Sequence, residues 1–131
     1  MTLPEDRLNA LALACERASG PDRTLDCAIY NALFIKPGKW DTCYVAKCYT
    51  ASLDAAMTLV PDGCLFTART VWDNEKTAGL AFVSRYEKGE FCGHERLYWM
   101  DEHQSVAANP ALALTAAALR ALALKSGEGK A

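Results

Sequence analysis

The stretch Tyr49–Gly63 constrains the fold most, because a helix with its own start and stop signals ends there in a turn that leads into the only β-rich region. Thr50 or Ser52 can supply the side-chain oxygen that caps the first turn, and Asp54 places a negative charge at the positive end of the helix dipole. Pro61 disfavours a helical residue before it and begins a turn. We interpret these polar side chains as helix-start residues and not as a nucleophile or a base, because no partner group is identifiable.

Length and composition predict one domain. The chain has 131 residues, of which 51% are hydrophobic, so we expect a single core over residues 1–125 and a flexible tail over residues 126–131. The formal net charge of -2 does not indicate binding to nucleic acid or to an anionic membrane, because such binding usually needs an excess of positive charge. With no long apolar run and no secretion signal, the sequence favours a soluble intracellular protein whose six cysteines are thiols.

Two helices are predicted before Tyr49. A capping box with a proline in the first turn opens the first helix, which runs from about Pro4 to Ala18. The second helix begins near Asp22 and ends near Phe34, with apolar residues at helical spacing. The segment from Pro37 to Cys48 has neither a helical nor an alternating pattern, so we expect an irregular loop.

Three strands are predicted after Gly63. Cys64–Trp72 is rich in β-branched and aromatic residues, the chain reverses over Asp73–Thr77, and Leu80–Tyr86 is the second strand. Glu87–Glu90 is the next predicted turn, and a third strand follows between Phe91 and Met100, which gives an antiparallel meander. Apolar residues on both faces of this sheet predict that helices cover both faces at least in part. The residues expected to share one face are Phe66, Trp72, Leu80, Phe82 and Tyr86.

The last predicted helix is Ala111–Leu124. Asn109 provides a cap and Pro110 the first helical position. Because this helix is apolar on nearly all sides, we expect it to be central in the fold or partly buried by a second copy in a homo-oligomer. Together the elements predict an α+β fold, an α-β-α sandwich in the order ααα-βββ-α, with helices packed on a three-stranded antiparallel meander.

Three segments carry a family resemblance: Gly20–Ile29, Tyr49–Pro61 and Asn109–Ala121. Together they resemble a family of small proteins of tailed phages and prophages that is named for an α-β-α (ABA) sandwich domain. The resemblance spans most of the chain and implies a fold and a genomic setting. It implies no activity, no cofactor and no functional residue. The sequence departs from the family in the loop from Pro37 to Cys48 and in the third strand, which carries a cysteine and a histidine.

Two groups of side chains are candidates for binding. Exposed aromatic residues often anchor interfaces, so the aromatic residues of the loop and of the third strand suggest a binding surface. They are Trp40, Tyr44, Tyr49 and Trp99. Four thiol and imidazole groups could bind zinc, although their spacing departs from that of common structural zinc sites. They are Cys43, Cys48, Cys92 and His94, and we favour thiols and a surface histidine without a cofactor.

Two further groups have simpler interpretations. A general acid-base site could be assembled from polar residues of the third strand, but neighbours along a strand do not converge, so we favour a polar strand end. These residues are His94, Glu95, Asp101, Glu102 and His103. Basic and aromatic side chains of the sheet could bind nucleic acid, but nearby glutamates oppose this. These residues are Arg69, Arg85, Lys88, Arg96, Phe82, Tyr86 and Tyr98.

These observations favour a non-catalytic accessory protein of a phage or prophage that works in the host cytoplasm by binding a host protein or protein complex. The setting suggests inhibition of host antiviral defence, either of a nuclease-based defence such as CRISPR or by capture of an immune signalling nucleotide. A nucleic-acid-binding accessory factor of phage replication or regulation is the alternative. A small metal-assisted enzyme is the third possibility.

Overall fold

The helices and strands follow one another in the predicted order. A computed structural model describes residues 4–34, 46–73 and 75–128. Within these ranges it describes the side chains of all residues except 4, 73, 91, 96–101 and 125–128. Helices precede a three-stranded antiparallel sheet and a C-terminal helix follows it, which confirms the α+β fold class and the order ααα-βββ-α. The elements are α1 (Pro4–Arg17), α2 (Arg23–Phe34), α3 (Leu53–Met57), β1 (Cys64–Asp73), β2 (Lys76–Phe91), β3 (His94–Ala107) and α4 (Pro110–Glu128).

The second hairpin turns later than the sequence predicts. β2 continues straight through Glu87–Glu90, and the chain reverses at Cys92 and Gly93, whose φ angles are 53° and 80°. Two successive positive φ angles are the backbone of a tight two-residue hairpin turn. β3 therefore begins at His94 and runs well past Met100, the predicted limit of the third strand. Both predicted boundaries were wrong because pairing between β2 and β3 overrides the weak turn preference around Gly89.

The register also separates residues that were expected to share a face. Phe66 is paired with Val83, whereas Phe82 is paired with Thr67, so Phe66 and Phe82 lie on opposite faces. Trp72, paired with Thr77, shares the face of Phe66 and not that of Phe82. The prediction of one shared aromatic face was wrong, because a shift of one residue in the pairing moves a side chain to the other face.

α4 lies directly against β2 at the start of the helix. A Cβ atom placed on Gly79 would lie 2.1 Å from the carbonyl carbon of Asn109 and 2.3 Å from the nitrogen of Pro110, so a side chain does not fit here. The side chain of Asn109 caps the helix, since its Oδ1 accepts a hydrogen bond of 2.8 Å from the amide of Leu112. The close approach at Gly79 thus fixes where α4 meets the sheet.

α4 is the centre of the core. It contacts all three strands as well as α1 and α3. Every residue from 111 to 119 is buried within the chain, which explains why the helix is apolar on nearly all sides. The expectation of a central helix is confirmed. A homo-oligomer stays a prediction, and the apolar surface that suggested it is already covered inside the chain.

The helices contact the sheet from one face. Ala81, Val83 and Ala107 belong to the same core cluster as the buried residues of α4. On the opposite face, Leu65 is 58% exposed and Val106 is 44% exposed. Their partners in the central strand, Ser84 and Leu80, are nevertheless buried on that same face. The expectation that helices cover both faces at least in part therefore stays a prediction.

The C-terminal boundary differs from the predicted one. α4 continues to Glu128, whereas the predicted helix ends at Leu124. A helix that has already formed adds a residue such as Gly127 at a cost of only about 1 kcal/mol. None of the helices within residues 4–34, 46–73 and 75–128 combines the length and the apolar character needed to cross a bilayer.

Candidate functional site

A buried hydrogen-bond network joins α2 to the turn before α3. Asp26 is 2% exposed, and its Oδ1 accepts hydrogen bonds from the amide of Thr50 at 2.9 Å and from the Thr50 hydroxyl at 2.8 Å. The same hydroxyl oxygen accepts a 2.8 Å bond from the amide of Asp22. Arg23 places Nη1 3.5 Å from Oδ2 of Asp26. These contacts supply the partners that a buried carboxylate requires.

The network continues into α4. Nδ2 of Asn109 donates to the carbonyl of Thr50 at 3.2 Å, and the buried hydroxyl of Thr115 donates to the carbonyl of Tyr49 at 3.0 Å. Ser52 caps α3, as the sequence predicts, because its Oγ accepts a 3.3 Å bond from the amide of Ala55. The polar groups of the stretch that begins at Tyr49 are therefore engaged in holding three helices together.

A second polar cluster joins α1, α4 and β3. The guanidinium of Arg120 forms two hydrogen bonds with the carboxylate of Glu16, one of them 2.7 Å from Nη1, and Nη1 also donates to Oγ of Ser105 at 2.8 Å. The hydrogen bond from Arg120 lowers the pKa of Glu16, and the bond to Glu16 raises the pKa of Arg120. The carboxylate is therefore ionised and neutralised by its partner, which does not suit a general acid or base near neutral pH.

Cys15 lies beside this cluster and is fully buried. Burial, with smaller contributions from Asp26 and Glu16, raises the pKa of its thiol to about 12. The thiolate is the reactive form of cysteine, so this side chain is a core residue and not a nucleophile.

A cavity of about 510 Å³ lies between the C-terminal end of α1, the turn from β1 to β2 and the end of β3. Sites for small molecules have volumes of roughly 300–1,000 Å³. The lining combines small side chains with charged and hydroxyl-bearing side chains. The lining residues are Glu16, Arg17, Ala18, Ser19, Lys76, Thr77, Ala78, Val106, Ala107 and Ala108.

The charge of this cavity is positive although the whole chain is acidic. Arg17 and Lys76 line it, and neither has an ion-pair partner among the described side chains, which do not include that of Asp73, the residue directly opposite Lys76. Glu16 is the carboxylate among the described lining residues, and Arg120 neutralises it. The dipole of α1 favours a cation at Arg17, in the last turn, and Lys76 lies directly opposite Asp73 on the facing hairpin. With the hydroxyls of Ser19 and Thr77 nearby, the arrangement is suited to an anion.

The predicted aromatic surface is only partly within the described chain. Trp40 and Tyr44 lie outside the described residues, and Trp99 lies outside the described side chains. Tyr49 is 1% exposed and belongs to the core cluster, so its inclusion in an exposed surface was wrong. Its ring is buried because the turn that carries it is bonded to α4 through Thr115.

The predicted zinc ligands are not brought together in the described chain. Cys43 lies outside the described residues. Cys48 lies near Arg23, with Sγ 3.8 Å from Nη1, whereas Cys92 occupies the turn of the β2–β3 hairpin and His94 follows it. Among residues 4–34, 46–73 and 75–128, no group of three potential ligands converges on a common point.

The residues considered for acid-base chemistry are spread along β3. Eight positions separate His94 from Glu102 in this strand (102 − 94), a distance of about 26 Å. The nucleic-acid residues are divided as well. Arg85 is paired with Cys64 on the core face, Arg69 lies on the opposite face, and Lys88 is 3.6 Å from Glu95. Among the described side chains of these groups, neither set forms one site.

Searches of protein-family models, curated proteins and solved structures find no match to this chain. The cavity is therefore interpreted from its own residues. Sequence reasoning missed it because Arg17 alone is a typical last-turn cation and Lys76 a typical turn residue. Only the folded chain places the end of α1 beside the β1–β2 turn.

Proposed function

We propose that this chain is a non-catalytic accessory protein of a phage or prophage that acts in the host cytoplasm by binding a host component. The observation that carries the proposal is the cavity of about 510 Å³ lined by Arg17 and Lys76, which have no ion-pair partner among the described side chains. The phage or prophage origin in this proposal comes from the resemblance of three segments of the chain to phage proteins. The binding role is assigned to the cavity.

The form of host defence inhibition that this geometry favours is capture of a small anionic immune signal. A cavity of this size with two cations fits a small anion. Blocking a nuclease would need a contact surface of about 800 Å² on this chain. Of the aromatic residues expected to build such a surface, Tyr49 is buried. The expected host protein partner stays a prediction.

The groups beside the cavity favour binding over turnover. Glu16 is held as an ionised partner of Arg120, and the pKa of the Cys15 thiol is raised to about 12. Neither supplies a base or a nucleophile near neutral pH. A ligand held at this site would therefore be sequestered unchanged.

An infection assay tests this proposal. The full chain is expressed in bacteria that carry a defence system triggered by a small anionic signal, and these cells are challenged with a phage that the system restricts. We expect the chain to restore plaque formation and the double variant Arg17→Ala/Lys76→Ala to lose this effect. Lys88→Ala is the matched control, because it removes an exposed cation from the distal hairpin.

Two outcomes would overturn the proposal. Plaque formation that is unchanged by the chain in hosts with such systems would show that it does not act on an anionic signal. Full restoration by the double variant would show that the effect does not depend on the cavity.

A further inference from the structure

An exposed tryptophan is the cross-strand neighbour of a residue that lines the cavity. Trp72 of β1 is paired with Thr77 of β2, and Thr77 lines the cavity. Directly opposite residues of antiparallel strands point to the same face, with Cβ atoms about 4.5–5.5 Å apart. Trp72 therefore leaves the sheet on the same face as Thr77, next to a residue that lines the cavity.

The exposure of Trp72 is not explained by the core. Its side chain is 73% exposed, the highest value for a large hydrophobic side chain among the described residues. Tryptophan has a large aromatic surface that stabilises a fold only when it is covered. Aromatic side chains beside cations are a common arrangement for stacking bases while the phosphates are neutralised.

We propose that the cavity binds a nucleotide, with the phosphate held by Arg17 and Lys76 and the base stacked on the ring of Trp72. This inference rests on the proposed function, because it uses the same cavity and names the class of its ligand. Ala78, Ala107 and Ala108 line the same cavity. Their small side chains leave room for the sugar that joins base and phosphate.

Each part of the ligand has a separate partner in this arrangement. A sugar phosphate would use the two cations and leave Trp72 uncovered. A nucleoside would stack on Trp72 and leave the cations without an anion. Stacking tolerates every base, because each has a π face, so an adenine nucleotide is a fair probe of the class.

Calorimetric titration of the full chain with four probes tests the inference. The probes are AMP, a cyclic adenine dinucleotide, adenosine and ribose 5-phosphate, each in a buffer of low ionic strength. One of the two nucleotides should bind with a Kd at least about tenfold lower than that of ribose 5-phosphate or adenosine. The reason is that the free energies of base stacking and of charge neutralisation add. The comparison of AMP with the dinucleotide distinguishes a linear from a cyclic ligand. Affinity for both nucleotides should fall as salt is added.

Three variants separate the contributions. Trp72→Ala should weaken nucleotide binding about tenfold and leave ribose 5-phosphate binding unchanged. Arg17→Ala/Lys76→Ala should abolish binding of every phosphate-bearing probe. Leu65→Ala is the control, because it removes another exposed hydrophobic side chain of β1 from the opposite face of the sheet and should change nothing.

The outcomes distinguish this inference from the function on which it rests. One result would overturn the nucleotide inference but leave an anion-binding cavity: ribose 5-phosphate binds as tightly as both nucleotides, and Trp72→Ala changes the affinity for none of these probes. If none of the phosphate-bearing probes binds, the nucleotide inference is overturned. The infection assay then decides separately whether another anionic signal is captured.

Discussion

Oδ1 of Asp26 accepts hydrogen bonds from both the amide and the hydroxyl of Thr50, at 2.9 and 2.8 Å. The two residues are 24 positions apart, and Asp26 is 2% and Thr50 0% exposed, so water does not replace either bond. Through its carbonyl, Thr50 also accepts a bond from Asn109 at the start of α4. This pair therefore sets how α2 and α4 lie relative to the turn before α3.

Removing the hydroxyl of Thr50 should destabilise the fold. Thr50→Val keeps the shape of the side chain but takes one donor from a buried carboxylate and leaves the amide of Asp22 without its acceptor. We expect the free energy of unfolding to fall by about 2–4 kcal/mol. Urea unfolding followed by circular dichroism measures this loss.

Thr58→Val is the matched control for that substitution. The hydroxyl of Thr58 donates to the carbonyl of Ala55 in an exposed position, so the change should be below about 1 kcal/mol. Equal stability of Thr50→Val and the unchanged chain would contradict a structural role for the network.

Gly79→Ala should be among the most damaging single substitutions. The added Cβ would meet the backbone of Asn109 at 2.1 Å, and neither β2 nor the start of α4 can move without losing its hydrogen bonds. We expect a loss of about 3 kcal/mol or more, seen as a lower Tm in calorimetry. Gly20→Ala is the comparison, because nothing lies within 4 Å of the new Cβ, and a Tm drop of similar size there would refute the steric explanation.

The core could be predicted from the sequence more fully than the site. The alternation of Leu and Ala around α4 leaves no polar face, which places the helix at the centre, and the cap at Ser52 is visible from residue type alone. The strand pairing was not predictable in the same way. Cys92 is an unusual residue for a positive φ, whereas Gly89 suggested a turn where β2 in fact continues.

The candidate site depends on contacts that no local pattern contains. Arg17 and Lys76 belong to elements far apart in the chain, and each residue has an ordinary role in its own element. Trp72 was expected to share a face with Phe82, because strand periodicity does not fix the register with the next strand. Its exposure follows from its place near the end of β1, which is an edge strand of the sheet.

The Glu16–Arg120 pair should make stability depend on pH in the acid range. Its hydrogen bond with Arg120 lowers the pKa of Glu16 below the ordinary value of 4.5, so the folded chain binds this proton less readily than the unfolded chain. The stabilisation is therefore fully present above the ordinary pKa and is lost as pH falls through the lowered one. Glu16→Gln should lower stability by about 1–3 kcal/mol at neutral pH and flatten the decline of Tm in acid.

Calorimetry between about pH 2 and pH 7 checks this dependence. Glu87→Gln, which removes an exposed carboxylate of β2, should leave the curve of Tm against pH close to that of the unchanged chain. Parallel curves for the unchanged chain and Glu16→Gln would show that the ion pair does not contribute.

Cys15 should resist alkylation in the folded chain although it lies next to the wall of the cavity. Burial raises the pKa of its thiol to about 12, so at pH 8 only about one molecule in ten thousand carries the thiolate that iodoacetamide attacks. Cys92 is exposed in the β2–β3 turn and provides the internal comparison. Peptide mass spectrometry over time should show that Cys92 is modified before Cys15 in the folded chain. In urea, the two cysteines should be modified at similar rates. Similar rates without urea would mean that α1 opens readily, and the cavity wall formed by Glu16 and Arg17 would then not be a fixed surface.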